Sequence, residues 1–272
     1  MAEATRPRRP FKIKAQPGFT TIAVICFFLL YAPLLPLVVY SFNAGDSLAN
    51  FEGLSWRWYA SAWENEAVQD ASIRSVYLAA CASFFSTILA TMAALGTTRV
   101  RPYRGMTAVY AMINQPLMVP EIVTAIALLI VFASIKAATG YHGMAYLIIA
   151  HTAFCVPFAY LPIRARLEGM DLTLETAAAD LYATPWQTFR RVTLPLLWPG
   201  ILAGAILAFV ISLDDVVITE FVKSSGQDTL PTYMLGQLRR VITPEVNAIS
   251  SVLLGISVLV VTATFFLTRK QR

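Results

Sequence analysis

Glu168–Pro195 reads EGMDLTLETAAADLYATPWQTFRRVTLP and separates two long apolar segments. A connection of this length without structure of its own is uncommon. The run carries its own punctuation. In Thr184-Pro185-Trp186-Gln187 a capping hydroxyl is followed by proline at the first helical position and by glutamine three residues after the cap. That predicts a short helix from Pro185 to about Val192, ended by Leu194-Pro195. Upstream, the Ala-rich Leu174–Tyr182 is expected to form another. Two small helices between apolar segments would make a docking surface. A solvated linker is the plain alternative.

Outward from this run, the chain is built for lipid. Of its 272 residues, 57% are hydrophobic and 14% charged, where a soluble domain carries roughly 25% charged residues. Six segments are long enough to span, given the ~20 apolar residues that a spanning helix needs. They are Phe19–Phe42, Val76–Gly96, Met106–Ile135, Met144–Ile163, Leu196–Phe221 and Ala248–Leu267. The expected fold is an all-α polytopic membrane protein with six transmembrane helices. The first segment is too long for a cleaved leader and lacks a small-residue cleavage site.

Lys and Arg set the orientation. With the N-terminus inside, segments 1–18, 97–105, 164–195 and 268–272 hold fifteen of the 21 basic residues. Arg57, Arg74, Lys136, Lys223, Arg239 and Arg240 are the others. Both termini and the loop 164–195 are therefore expected in the cytoplasm. The organisation expected is a tail, 1–18, and one transmembrane domain, 19–272. The net charge of +5 is dispersed at segment ends and does not point to nucleic acid. Cys26, Cys81 and Cys155 lie inside apolar runs without metal spacing.

Polar residues inside the spans are costly and so informative. The third span is interrupted by Pro116 and Pro120, with Asn114 before them and Glu121 after. The fifth holds Ile211-Ser212-Leu213-Asp214-Asp215-Val216-Val217. Two central aspartates facing lipid would cost roughly 5–7 kcal/mol. Adjacent helical residues point about 100° apart. One carboxylate can therefore line a cavity while the other bonds a neighbouring helix or caps a break. Glu121, Asp214 and Asp215 are the candidate pathway residues, against the alternative of structural contacts between helices. His151, alone in the fourth span, reads as a packing residue, and Glu220 as interfacial. Pro157 and Pro162 should kink the fourth span. Gly200, Ala203, Gly204 and Ala208 permit close helix contacts.

Outside the spans, Leu54-Ser55-Trp56-Arg57-Trp58-Tyr59 suits a membrane interface. In the last outer segment, 222–247, Met234–Val241 could form a short helix. No phosphate-cradling GxxxxGK[ST] occurs. No metal-binding set or Ser-His-Asp set is evident, His142 and His151 lacking candidate partners. A membrane enzyme is therefore the weaker class. An ion-coupled secondary carrier would use the same intramembrane acids and would be favoured by inverted repeats.

The loop also resembles the signature of ABC-importer permeases. Its register is Thr176-Ala177-Ala178, three residues, Tyr182, nine residues, Val192-Thr193-Leu194-Pro195. Two positions depart from that pattern. Thr176 stands where the family has glutamate, with Glu175 one step before, and Tyr182 stands where it has glycine. Tyr40-Ser41-Phe42-Asn43, Ser212–Ile218, Thr229-Leu230-Pro231 and Pro244–Ala248 are similar to the spermidine/putrescine branch. Relatives for opines, phosphonates or iron share parts of these runs, so an importer permease for another small solute, such as an opine, amino acid or phosphonate, is the alternative. The resemblance implies a type I importer permease fold in a bacterial inner membrane. It implies a coupling loop that docks a cytoplasmic ATPase through Glu175, Thr176, Ala177, Ala178, Tyr182, Thr184, Pro185, Leu194 and Pro195. It further implies two copies of that ATPase, which would bind ATP and Mg, so that no cofactor is expected in this chain. A second homologous permease and a periplasmic substrate-binding protein complete the implied assembly.

Overall fold

The computed structural model describes residues 17–46, 50–239 and 244–269. The first apolar segment forms α1 (Pro17–Tyr31) and α2 (Leu34–Tyr40), parted at Ala32-Pro33. No residue between Gly18 and Tyr40 is buried. The chain then folds back on itself. Ala44 N–H donates to Gly53 O at 2.9 Å and Ser55 N–H to Phe42 O at 2.7 Å. The aromatic run closes this turn and leads into α3 (Arg57–Glu64). Trp58 is buried and its indole N–H donates to Asn43 O at 2.9 Å, while Phe42 meets Trp56 edge-on at 4.9 Å. Trp56 and Trp63 stay exposed, as interfacial aromatics do.

The second expected span becomes α4 (Glu66–Thr98), which starts ten residues ahead of Val76. Asn65 caps it, Oδ1 accepting from Ala67 N–H at 3.0 Å. Asp70 and Arg74 satisfy each other one turn apart at 3.1 Å, which allows a polar first stretch to stay helical.

The third expected span is not one kinked helix but two, α5 (Met106–Met118) and α6 (Glu121–Thr139). Val119 and Pro120 are extended, with ψ of 136° and 132°. Pro120 has no N–H to continue the ladder and disfavours helical geometry at the residue before it. α7 (Ala145–Glu168) continues through Pro157 and Pro162 as one helix.

After α8 (Thr173–Asp180) and α9 (Pro185–Thr188) comes a correction to the loop reading. The second short helix does not end at Leu194-Pro195. It passes through a π-helical turn, Phe189–Thr193, directly into α10 (Leu194–Asp214). Leu194 N–H donates to Phe189 O, five residues back. The wider turn lies where the Pro195 ring would otherwise crowd the Arg191 carbonyl. The helical run is thus continuous from Pro185 to Asp214. The fifth span also breaks at its outer end, Asp215 having ψ 132°, before α11 (Val217–Val222). α12 (Leu230–Leu238) starts four residues earlier than expected, because Thr229 and Thr232 cap it reciprocally. The expected last turn of that helix includes residues 240 and 241, which lie outside the described residues. The sixth apolar segment falls in α13 (Pro244–Arg269).

Five of these helical runs are long and apolar enough to cross a membrane. The core is the bundle of α4, α7 and α10. Lipid is as apolar as leucine, so small residues and cross-helix hydrogen bonds do the packing. Ala79, Ala82, Ala90, Ala94, Ala159 and Ala208 are fully buried. Ser83 Oγ donates to Ala205 O across helices at 2.6 Å. A Cβ on Gly204 would lie 2.7 Å from Ala159 O, so α10 approaches the α7 backbone closely there.

Candidate coupling loop and substrate cavity

The loop is built from its caps outward. At the end of α8, Ala183 N–H donates to Ala178 O at 3.0 Å and Tyr182 N–H to Ala179 O at 2.9 Å. This pair of bonds is a Schellman motif, which needs a left-handed residue at its centre. Tyr182 supplies it with φ 60°, and is the one non-glycine residue with positive φ among those described. The expected capping box is present. Gln187 N–H donates to Thr184 Oγ1 at 3.3 Å, and Thr184 N–H to Gln187 Oε1 at 2.9 Å. Leu181, Tyr182 and Trp186 are 82%, 95% and 66% exposed, an apolar patch on an otherwise polar loop.

Glu175 ties this loop to the bundle. It pairs with Arg99, at the end of α4, at 3.2 Å, and accepts from Thr193 Oγ1 at 2.9 Å. Arg99 also donates to Leu167 O at 3.2 Å. One carboxylate therefore joins α8 to α4 and the π turn, with the end of α7 reached through Arg99. Thr176 bonds within its own helix, to Leu172 O. Ala177 is exposed and Ala178 half-buried on α8, and Leu194 and Pro195 open α10 beyond the π turn. Sequence reasoning found Glu175 but missed Arg99 and Thr193, whose partners lie 76 and 18 residues away.

Glu121, Asp214 and Asp215 all line one open cavity of about 350 Å³, with Phe154, Phe158, Ile211, Val216 and Val217. The breaks in the third and fifth spans put them there. Glu121 opens α6, Asp214 closes α10, and Asp215 sits in the gap before α11. Their surroundings differ. Asp214 is exposed and Glu121 half-buried, whereas Asp215 is 6% exposed. Asp215 accepts from Ile218 N–H at 3.3 Å, from Thr219 N–H at 2.9 Å and from Thr219 Oγ1 at 2.9 Å. It thereby caps α11.

His151 is a satisfied buried residue, as read, but it does have partners, one on each nitrogen. Nδ1 lies 2.8 Å from Ser212 Oγ and Nε2 lies 2.9 Å from Thr219 Oγ1. The Thr219 hydroxyl gives its hydrogen to Asp215, so it accepts from Nε2–H. In a neutral imidazole Nδ1 then accepts from Ser212. Ser212, His151 and Asp215 thus stand together as a buried relay, with His151 fully buried and Ser212 4% exposed.

At the outer end, Lys223 bridges Glu220 at 2.6 Å and Asp228 at 2.7 Å. Burial acts to lower its pKa, but the hydrogen bonds and charges of Asp228 and Glu220 outweigh it and hold it above the usual lysine value. Glu220 is therefore held in an ion-pair network with Lys223. Lys136 Nζ donates to Val222 O at 2.7 Å and fixes α6 to α11.

The chain is 38% identical over 242 residues to the putrescine transport system permease protein PotI of Escherichia coli (strain K12), covering 88% of this chain and 86% of that one. It is 35% identical to the spermidine/putrescine transport system permease protein PotC of Haemophilus influenzae, covering 91% and 95%. A crystal structure of a bacterial ABC transporter involved in alginate import shares the fold. Its TM-score is 0.72 at 17% identity, over 93% of this chain and 94% of that one. Residues 86–271 match the family model described as binding-protein-dependent transport system inner membrane component. With most of its length so matched and its helices so arranged, the chain belongs to the family of binding-protein-dependent transport system inner-membrane components.

Proposed function

We propose that this chain is a permease subunit of an ATP-driven importer for a small cationic solute of the polyamine class, putrescine or spermidine. The observation that carries the reading is the cavity at two helix breaks, with Glu121, Asp214 and Asp215 on its wall. An ammonium group leaving water needs compensating charge. Carboxylates in an otherwise apolar lining supply it. The substrates named for PotI and PotC support the same class.

The exposed loop is the second element of the reading. Glu175, Thr176, Ala177, Ala178, Tyr182, Thr184, Pro185, Leu194 and Pro195 would form the seat of a separate cytoplasmic ATPase, present in two copies and holding ATP and Mg. A second, homologous permease would complete the path, and a periplasmic binding protein would deliver the solute. Six spans with both termini in the cytoplasm, and one transmembrane domain from residue 19 onward, fit the distribution of Lys and Arg. ATP hydrolysis by the reconstituted complex, with putrescine, spermidine and an unrelated opine or amino acid, tests the reading. Stimulation by polyamines alone is the expected result. Stimulation by another solute alone would overturn the substrate, and failure to assemble with any ATPase would overturn the importer.

A further inference from the structure

The three carboxylates of the cavity are not equivalent. Asp215 spends its oxygens on protein donors: Oδ1 on Ile218 N–H, and Oδ2 on Thr219 N–H and the Thr219 hydroxyl. His151 Nε2 stands 3.4 Å from the same Oδ2. Behind it, the chain of hydrogen bonds runs in one direction, from Ser212 to His151 to Thr219 to Asp215. These residues come from α10, α7, α11 and the gap between α10 and α11. The relay therefore spans the break and fastens both sides of it to the central helix of the bundle. Asp214, next in sequence to Asp215, is outside this relay and exposed.

We infer that His151 is a positioning residue: through Ser212 and Thr219 it commits Asp215 to the α10–α11 break, and so leaves Asp214 and Glu121 as the carboxylates presented to a cationic solute. The assignment rests on the importer reading above, and it adds a division of labour to it. A histidine serves here because one planar ring must accept on one nitrogen and donate on the other. A neutral glutamine also has one acceptor and one donor end, so it can replace the link. Leucine, close in size, can do neither. A break that is no longer fastened can still follow ATP-driven motion of the bundle, but it no longer holds Asp214 and Glu121 in register with the solute. The loss should therefore fall on solute moved per ATP rather than on ATP hydrolysis.

The test uses the complete importer in proteoliposomes, with binding protein at saturation, and reads polyamine uptake and ATP hydrolysis together. His151→Leu is expected to lower uptake at least tenfold with hydrolysis within about twofold of wild type. His151→Gln is expected to recover uptake to within about threefold. Asp214→Asn and Glu121→Gln should each lower uptake without changing the thermal midpoint, whereas Asp215→Ala should lower the midpoint as well. Should His151→Leu fail to assemble, Ser212→Ala and Thr219→Val each remove one link without opening a large void, and each should lower uptake per ATP. Full uptake in both, or equal loss in His151→Leu and His151→Gln with intact assembly, overturns the inference. If the wild-type complex carries another solute, the polyamine reading falls, and the His151 series is read on that solute with the same expected ratios. If Asp214→Asn and Glu121→Gln leave uptake unchanged while the His151 series behaves as expected, the positioning of the break stands and the cation pair is refuted.

Discussion

Tyr182→Gly should tighten the loop. Tyr182 holds the left-handed position of the Schellman motif with φ 60°. An L-residue there costs ~1–2 kcal/mol. Glycine removes that cost but returns roughly 0.5–1 kcal/mol through its freer unfolded chain. The ring is 95% exposed, so its loss forfeits little packing. The net gain is about 0.5–1 kcal/mol, or a factor of ~2–5 in the local opening equilibrium. The reporter is the Ala183 amide, whose bond to Ala178 O closes the motif at 3.0 Å. Hydrogen exchange on the permease chain without its ATPase, in nanodiscs and corrected for intrinsic rates, should slow by that factor in Tyr182→Gly. Tyr182→Ala retains the Cβ and hence the strain, and should leave the rate near wild type. Unchanged or faster exchange in the glycine variant, or an equal gain in the alanine variant, would refute the reasoning.

Glu175→Ala should cost about 1.5–3 kcal/mol, because it strips a charged partner from Arg99 and an acceptor from Thr193; the two side chains of the ion pair are 20% and 21% exposed. A double-mutant cycle with Arg99→Met, read by thermal unfolding, should show positive coupling, and additive losses would contradict the hub. Gly204→Ala should destabilise the complex by ~1–3 kcal/mol, since the new Cβ would meet backbone rather than a movable side-chain end; a neutral substitution would mean that α7 and α10 can part. For Lys223 the folded pKa is raised, so its contribution is complete below the unfolded value of about 10.4 and is lost as pH rises through the folded value. An alkaline series of thermal midpoints should bring wild type and Lys223→Gln together only above that range.

Local chemistry was legible in the sequence where the interacting groups are neighbours. The capping box at Thr184 and Gln187 lies within four residues, and it formed as read. Pro116 and Pro120 announced an interruption, and the chain breaks just at the second of them. What composition could not show was that the interruption separates two helices rather than bending one. Asp214 and Asp215 looked like charges in the middle of a span, yet they end one helix and cap the next. At that break Asp215 bonds forward to Ile218 and Thr219, and His151 bonds Ser212 and Thr219, which lie 61 and 68 residues away from it. No pattern within a window of the sequence joins them. Leu194-Pro195 misled for a similar reason. A proline predicts a stop when the turn before it is α-helical, but here that turn is π-helical and leaves room.

The continuity of the helical run from Pro185 to Asp214 has a mechanical meaning. Its exposed end lies at the loop and its other end at the acidic cavity, and between them it lies close against the α7 backbone at Gly204. At 1.5 Å per residue, the loop end is about 29 Å from Gly204 and the cavity end about 15 Å. Were the run to move as one stiff rod about that contact, it would be a lever with arms in a ratio of about two to one. A push on the loop would reach the cavity with about half its travel and about twice its force. Such gearing suits a small, firm opening of the space between Asp214 and Glu121, with no signal passed through flexible chain.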